Sequence, residues 1–187
     1  MEVTIIKIAE SKAVVLLAER ISLSCGLGLQ KTNQVKIAAA LHDCGKECIS
    51  KEILDKPGKL TKSEFEVVKT HTKHGFRMLS DMHCEAGEAA KITALYHHEH
   101  FDGRGYWGVP LNTLPRYVSI VAISDVFCAL LSKRVYKEPW PPNDALKYIK
   151  EKAGTQFCPD LTNALIKLLR KDCVASAVFM GCKPFKN

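Results

Sequence analysis

The sequence predicts an all-α protein, and three observations support this fold class. Apolar residues recur at helical spacing along most of the 187 residues, glycine and proline mark the turns, and no stretch alternates apolar and polar residues as a half-buried strand would. The length and the 47% of hydrophobic residues suit one globular domain with a sizeable core. We therefore expect one helical domain over residues 1–172, followed by a tail of unassigned role over residues 173–187.

Helical periodicity predicts helices over residues 4–24, 32–41, 61–79, 88–96, 116–131, 143–152 and 160–170. The helix at 61–79 has the clearest start, because Thr61 and Glu64 are spaced as a capping box and Leu60 and Phe65 as a hydrophobic staple. Residues 116–131 are apolar nearly all round, which predicts a buried helix with Asp125 inside the protein.

Composition excludes several classes of protein. The sequence has no apolar run of membrane-spanning length and no signal-peptide pattern at its start, so we expect a cytoplasmic protein that does not bind membranes. The eight cysteines lie mostly in apolar stretches without a paired CxxC spacing, and we interpret them as reduced packing residues. The net charge of +7 is spread along the chain rather than clustered with aromatic residues, which argues against nucleic-acid binding.

Six imidazole and carboxylate side chains stand out in the middle of the chain: His42, Asp43, His71, His97, His98 and Asp125. Divalent metals of intermediate hardness prefer such ligands, and six are enough for two neighbouring ions. A single histidine is more often a hydrogen-bonded core residue, and a single helical aspartate is usually a cap or a solvated residue. Burying an unpaired carboxylate costs several kcal/mol of folding free energy, however. One metal cluster would neutralise the charges of both Asp43 and Asp125. The set predicts a dinuclear hydrolase, with His74, His83 and His100 as surface residues.

Several motifs resemble one family. They are His42-Asp43-Cys-Gly-Lys46, the segment 53–61, His71 within a helix, the segment 97–106 that reads HHEHFDGRGY, and Ser124-Asp125. Together they resemble the HD-GYP subgroup of the HD metal-dependent phosphohydrolases, over residues 10–169. The resemblance implies an all-α HD fold, a centre of two or three iron or manganese ions, and hydrolysis of cyclic dinucleotides, above all cyclic di-GMP.

The resemblance also implies a role for each site residue. Asp43 would bridge two metal ions, His42 and Asp125 would complete the first site, and His71, His97 and His98 would hold the second. A hydroxide bridging the metals would attack phosphorus in line. Lys46 would contact a phosphate oxygen unless it is merely solvated, and Tyr106 would contact the ligand unless it only closes a tight loop. Glu99 and Asp102 are expected to fix the conformation of the glycine-rich loop that carries Tyr106. Nickel or zinc would also suit the histidine and aspartate ligands.

The chain departs from the family pattern at several positions. Glu10 stands in place of a histidine and would bind the first metal as a carboxylate, while Ile6 replaces a glutamate used for a third metal, so we expect two ions. Trp107 replaces a proline and changes the shape of the rim. Ser119 replaces a ligand-binding arginine, for which Arg116 is a candidate substitute one turn away. Aspartates of the family are replaced by Cys128 and Cys158.

Three functions remain open on the sequence alone. The first is an active cyclic dinucleotide phosphodiesterase, the second an HD phosphohydrolase for another nucleotide or phosphate ester, and the third a non-catalytic signalling module that binds a cyclic nucleotide or a protein. The family commonly joins this domain to a receiver or sensory domain, which does not fit in the remaining residues. Either a regulatory protein partner supplies the input or the chain is a fragment. The tail either docks on the core or mediates self-association as a homodimer.

Overall fold

The secondary structure of the protein is helical. The computed structural model describes the backbone of residues 2–80, 85–133 and 138–171, and the side chains of residues 12–80, 87–133 and 138–170. Within these ranges, the single pairing of extended backbone joins Ala153 to Phe157. This confirms the all-α fold class. None of the helices in the described ranges combines the length and the apolarity that crossing a bilayer requires.

The helices follow the chain in a simple order. They are α1 (Glu2–Ser24), α2 (Leu29–Leu41), α3 (Lys51–Leu54), α4 (Lys62–Lys69), α5 (His71–Met78), α6 (Glu85–Tyr96), α7 (Arg116–Leu131), α8 (Pro142–Glu151) and α9 (Pro159–Lys171). Two short 3-10 helices span Cys44–Cys48 and Leu111–Thr113. Six of the seven predicted helices are recovered with end points that agree to within a few residues, but periodicity gave no sign of α3 or the 3-10 helices. The predicted tail, residues 173–187, lies outside the described residues.

The predicted single helix over 61–79 is wrong, because the structure contains two helices there, α4 and α5, separated at Thr70. The Thr70 hydroxyl donates to the Val67 carbonyl at 2.6 Å, and the Thr70 N–H donates to the same carbonyl at 3.0 Å. His71 Nδ1 donates to the Val68 carbonyl at 2.6 Å. Side chains thus occupy carbonyls that an uninterrupted helix would use, which ends α4. The predicted capping box is confirmed, since Thr61 and Glu64 exchange both hydrogen bonds.

Helix α7 lies at the centre of the fold. It packs against α1, α2, α6, α8 and α9, and Val118–Ile123 and Phe127 on it are buried. The main core gathers α7 residues with Leu17 and Ile21 of α1 and Leu161 and Leu165 of α9. Asp125 is the one acidic residue of this otherwise largely apolar helix. The cysteines of the described core and surface, Cys25, Cys44, Cys48, Cys128 and Cys158, are free thiols, as predicted.

The 3-10 helix at Cys44–Cys48 packs directly on α5, and two glycines allow this close approach. A Cβ atom on Gly45 would lie 2.0 Å from the His71 carbonyl oxygen and 2.3 Å from the Gly75 backbone nitrogen. Real side chains do not reach such distances, so only glycine fits at position 45. The contact brings the residue before this 3-10 helix, Asp43, next to the first residue of α5, His71.

Candidate metal centre

The six side chains singled out from the sequence come from four regions of the fold. His42 and Asp43 follow α2, His71 begins α5, His97 and His98 follow α6, and Asp125 lies within α7. The structure brings these ends together around Asp43. Four distances define the arrangement: Asp43 Oδ1 to His71 Nε2 (3.3 Å), Asp43 Oδ1 to His97 Nε2 (3.6 Å), Asp43 Oδ2 to His42 Nε2 (3.4 Å) and His42 Nε2 to Asp125 Oδ1 (3.6 Å).

Among the side chains that the structure describes, two groups of donor atoms are compact enough to hold a metal ion, with all atoms of a group within 4.8 Å of one another. The first group is Asp43, His71, His97 and His98, and the second is His42, His97 and Asp125. Asp43 also lies close to His42 of the second group, as a bridging carboxylate would. His97 belongs to both groups, whereas the family resemblance assigned it to one metal only.

The histidine rings are held in a ligating orientation by the backbone. Three of them donate Nδ1–H to a carbonyl three or four residues earlier: His42 to Ala39 (2.7 Å), His71 to Val68 (2.6 Å) and His97 to Thr93 (3.1 Å). A carbonyl can only accept, so Nδ1 carries the proton and the lone pair lies on Nε2. Such outer hydrogen bonds are typical of metal-binding histidines, because they fix both the tautomer and the ring direction.

Two buried polar atoms of the site support a bound cation. His42 Nε2 and Asp43 Oδ1 have no hydrogen-bond partner, although they are removed from solvent. Buried polar atoms are nearly always satisfied, so two orphans in one cluster indicate a missing partner with positive charge. Imidazole and carboxylate donors suit iron, manganese, nickel or zinc. The residues therefore fit a pair of divalent metal ions.

The carboxylates of the site are ionised. Burial acts to raise the pKa of Asp43, but the charges of His42 and Lys46 outweigh it and hold this pKa well below its usual value. Burial likewise opposes ionisation of Asp125, yet the interaction with His42, whose Nε2 lies 3.6 Å away, lowers its pKa. The reciprocal effect appears at His42: burial lowers its pKa, and the Asp43 and Asp125 carboxylates overcome this and raise the pKa to about 10.

The second histidine pair is neutral. Burial lowers the pKa of His97, and it lowers that of His98 well below the usual value with help from the charge of His97. Neutral imidazoles keep a lone pair available for a metal ion at neutral pH. The electrostatics of the site thus combine ionised carboxylates with neutral rings at His97 and His98, which is the protonation state that metal ligation requires. The raised pKa of His42 gives that ring a second proton, which a bound metal ion would displace.

Lys46 and Tyr106 flank the ligand cluster. The Lys46 ammonium donates to Asp43 Oδ2, and its side chain is 40% exposed. The Tyr106 ring lies over the His98 ring with a centroid distance of 4.5 Å, and it meets Phe65 edge-on at 5.8 Å. Burial, together with the charge of Asp43, raises the pKa of Tyr106 to about 12, so its phenol is a neutral hydrogen-bond donor. Both side chains therefore lie where a ligand of the cluster would pass.

The glycine-rich loop after His98 is fixed by Glu99, as expected. The buried Glu99 carboxylate accepts the backbone N–H groups of Trp107 at 2.6 Å and Val109 at 2.9 Å. Gly105 packs so tightly that a Cβ atom would lie 2.4 Å from Glu99 Cα. Asp102 accepts the Arg104 N–H at 3.0 Å, which confirms its role within the loop.

Trp107 has a structural role that its proline counterpart in the family could not fill. Its backbone N–H reaches Glu99, and its indole N–H donates to Thr72 Oγ1 at 3.1 Å. Proline has neither donor. The loop is thereby tied to α5, next to His71.

Two predicted site residues, Arg116 and Ser119, are not among the donor atoms that the structure groups in the cluster, and a third lies outside the described side chains. The exposed Arg116 places Nη2 3.9 Å from Cys25 Sγ, and it lies nine residues before Asp125, or about 14 Å along α7. Ser119 is buried at 7% exposure in the middle of α7. The third, Glu10, falls in α1 outside the residues whose side chains the structure describes. No cationic side chain of α7 therefore replaces the arginine expected at position 119.

A cavity of about 160 Å³ opens beside His97 and His98. His100 lines it and is half-buried, whereas the sequence predicted a surface residue without a role at the site. Gln156 also lines the cavity. The sequence assigned this glutamine no role, because only the folded chain shows that it reaches the site.

Comparison with known proteins places the chain in a family. Residues 5–161 match the HD domain family. The cyclic di-GMP phosphodiesterase response regulator of Xanthomonas campestris is 41% identical over 143 residues, which cover 76% of this chain and 38% of that protein. A cyclic di-GMP phosphodiesterase of Thermotoga maritima is 39% identical over 153 residues, covering 81% and 42%. The 3'3'-cGAMP-specific phosphodiesterase 2 of Vibrio cholerae is 35% identical over 160 residues, covering 85% and 31%.

Two solved structures share the fold. An HDG"Y"P protein from Bdellovibrio bacteriovorus aligns with a TM-score of 0.70 at 16% identity, covering 86% of this chain and 51% of that one. The HD domain of a Listeria monocytogenes phosphodiesterase in complex with cyclic-di-AMP aligns with a TM-score of 0.58 at 17% identity, covering 94% and 92%. At these identities the likeness concerns the fold alone.

The chain spans less than half the length of the curated relatives it matches. The family match nevertheless covers most of this chain and includes every described side chain of the metal centre. The chain therefore belongs to the HD domain family, and its resemblance to the HD-GYP subgroup is confirmed.

Proposed function

We propose that this protein is a metal-dependent phosphodiesterase that hydrolyses a cyclic dinucleotide, with cyclic di-GMP as the first candidate. The observation that carries the proposal is the position of Asp43, whose two oxygens face His71 and His97 on one side and His42 on the other at 3.3–3.6 Å. The named activities of the relatives, cyclic di-GMP and 3'3'-cGAMP phosphodiesterases, support the choice of substrate class.

The protein residues hold and polarise the reacting groups. A pair of divalent ions, when bound, supplies Lewis-acid stabilisation of the phosphodiester oxygens and lowers the pKa of the attacking water. His42, Asp43 and Asp125 would hold one ion, and Asp43, His71, His97 and His98 the other. Glu10 remains a proposed further ligand of the first ion. The buried, backbone-anchored imidazoles keep this geometry rigid, which favours precise placement of a phosphate.

Lys46 and Tyr106 would bind the phosphate ester from the open side. Lys46 already pairs with Asp43, so its ammonium is held within a hydrogen bond of the atom that would bridge the metals. A phosphate oxygen bound there would receive a charge-assisted hydrogen bond from Lys46. The neutral phenol of Tyr106 can donate to a second oxygen of the substrate.

A second candidate is hydrolysis of a different cyclic dinucleotide or phosphate ester. It is favoured by the environment of position 119, where Ser119 is buried and Arg116 points to Cys25. The ligand-binding arginine that the family carries is therefore not replaced from α7. Loss of one charge-assisted contact weakens binding by about tenfold to a hundredfold and leaves room for another substrate.

The decisive experiment is turnover of cyclic di-GMP, cyclic di-AMP and 3'3'-cGAMP by protein purified without oxygen and loaded with Mn²⁺ or Fe²⁺. We expect hydrolysis of at least one cyclic dinucleotide and its loss in Asp43→Ala and His71→Ala. His74→Ala is the matched control, because His74 lies on the same helix and is not one of the cluster's donors. It should retain activity.

The results separate the alternatives. Turnover of cyclic di-GMP that disappears with Asp43 supports the first candidate. Preferred turnover of another nucleotide or ester supports the second. Binding of two metals without turnover of any phosphate ester would contradict both and leave a ligand-binding signalling module.

A further inference from the structure

The cavity beside the metal centre has the size and lining of a binding site for an aromatic ring. Its volume of about 160 Å³ corresponds to that of about five water molecules. His97 and His98 form one wall, so the cavity is in direct contact with the ligand cluster. Whatever binds through a phosphate at the metals can therefore extend a second group into this space.

The walls of the cavity suit a flat ring. Tyr106 and Phe157 contribute aromatic side chains, and Ala122 and Val126 contribute one apolar face of α7. Sites for small molecules are mostly apolar, with a few polar groups that fix orientation. Stacking of a nucleobase on aromatic side chains contributes about 1–3 kcal/mol per base, and this term does not depend on which base is bound.

The polar group that can distinguish bases is the amide of Gln156. Its Oε1 accepts the Tyr148 hydroxyl at 2.9 Å, so the oxygen is already engaged. In the described part of the chain, no hydrogen bond from its Nε2 is found. In this orientation Oε1 faces Tyr148, and the Nε2 donors are the part of the Gln156 amide left for a ligand in the cavity.

The segment that carries Gln156 is rigid relative to the metal-centre loop. The Phe101 N–H donates to the Gln156 carbonyl at 3.1 Å, and the Asp102 N–H donates to the Thr155 carbonyl at 2.9 Å. These bonds fix the distance between the amide and the histidine pair. The Glu99 carboxylate, although it lines the cavity, is occupied by two backbone N–H groups.

We propose that this cavity is a purine-binding subsite of the phosphodiesterase, and that Gln156, held by Tyr148, makes it prefer guanine to adenine. Guanine presents two adjacent acceptors, O6 and N7, whereas adenine presents N7 beside an N6 amino donor. An amide that directs its Nε2 donors to the ligand matches the first edge and leaves a donor facing a donor on the second. This inference rests on the proposed function, since it assigns one base of the substrate to the same site.

The test is calorimetric binding of GMP and AMP to the metal-loaded full chain. We expect wild-type protein to bind GMP about tenfold more tightly than AMP. Gln156→Leu should lower affinity for GMP by about tenfold with little change for AMP. Tyr148→Phe keeps the glutamine but lets its amide rotate, so it should reduce the preference for GMP to about threefold or less. Thr155→Ala, a change in the same turn but outside the cavity, should change neither affinity.

A cavity-filling variant tests the location independently of Gln156. Ala122→Leu adds volume at the wall of the cavity and should weaken both nucleotides while metal content stays unchanged. Equal binding of GMP and AMP by the wild type would overturn the inference. So would an unchanged preference in both Gln156→Leu and Tyr148→Phe, or undiminished binding by a folded Ala122→Leu protein.

These results are distinct from a failure of the proposed function. If no cyclic dinucleotide is hydrolysed but GMP is preferred through Gln156, the subsite stands and the phosphodiesterase activity does not. If cyclic dinucleotides are hydrolysed and substitutions at Gln156 and Ala122 have no effect, the phosphodiesterase activity stands and the subsite does not. In an active protein, the ratio of kcat/KM for cyclic di-GMP over cyclic di-AMP should fall about tenfold in Gln156→Leu.

Discussion

His42 Nε2 lies 3.6 Å from Asp125 Oδ1, which joins the end of α2 to the middle of α7. His42 Nε2 has no hydrogen-bond partner, although it is buried. The pair therefore places a carboxylate and an imidazole nitrogen beside each other in a largely buried position. A shared cation would satisfy both groups, so we expect metal binding to stabilise the packing of α2 against α7.

Metal addition should raise the melting temperature. A ligand present at one hundred times its dissociation constant stabilises the folded state by about 2.7 kcal/mol, which corresponds to about 5–10 °C for a domain of this size. Differential scanning calorimetry with and without Mn²⁺ measures the shift. Asp43→Ala should show a much smaller one. An equal shift in that variant would mean that the metal binds elsewhere.

Asp125→Asn should remove one of the two metal ions. The amide keeps the shape of the carboxylate but loses its charge, and it leaves His42 without its acidic neighbour. We expect metal content to fall from about two ions to about one per chain and activity to fall by about a hundredfold. Elemental analysis of dialysed protein gives the content. Asp160→Asn, an exposed change at the start of α9, is the control, and full metal content in Asp125→Asn would exclude this role.

Gly45→Ala should disrupt the site through the backbone. Its Cβ would collide with the His71 carbonyl oxygen and the Gly75 nitrogen, so the 3-10 helix must move away from α5. We expect a loss of about 2–4 kcal/mol in the free energy of unfolding, together with weaker metal binding, because Asp43 and His71 separate. Chemical denaturation measures the first effect.

Gly28→Ala is the matched control for this prediction. A Cβ atom there meets nothing within 4 Å, and Gly28 has an ordinary extended backbone with φ of −64°. Its stability should change by less than about 0.5 kcal/mol. Similar losses in both variants would show that the contact at position 45 is not responsible.

Glu64 should make stability depend on pH at the start of α4. The hydrogen bonds from Lys56 and from the Thr61 N–H lower the pKa of Glu64. A carboxylate with a lowered pKa in the folded state stabilises the protein above its ordinary pKa of about 4.3, and this stabilisation disappears as the pH falls through the lowered value. Glu64→Gln keeps an acceptor for Thr61 but loses the charge.

The difference in melting temperature between wild type and Glu64→Gln should therefore be present at pH 7 and be lost as the pH falls through the lowered pKa of Glu64. Glu64→Ala, which also removes the cap, should remain less stable at both pH values. Glu66→Gln is the control, because Glu66 lies on the same helix and pairs with Lys69 but caps nothing. A pH-independent difference for Glu64→Gln would contradict the charge effect.

Local sequence signals predicted most of the helices because their causes are local. The capping box at Thr61 and Glu64 needs residues three positions apart, and the apolar character of α7 is visible in sixteen consecutive residues. The division between α4 and α5 was missed, since Thr70 and His71 look compatible with a helix until their side chains take the Val67 and Val68 carbonyls.

The sequence by itself determined the donor types and the fold class: histidines and aspartates at fixed positions among apolar helical segments. It did not determine which donor atoms face each other. His97 lies near both groups, Arg116 turns to Cys25, and Gln156 reaches the metal-centre cavity only in the folded chain. Helix formation depends on neighbouring residues, whereas distances between ligands depend on how α2, α5, α6 and α7 pack, and that packing is set by contacts between residues far apart in the chain.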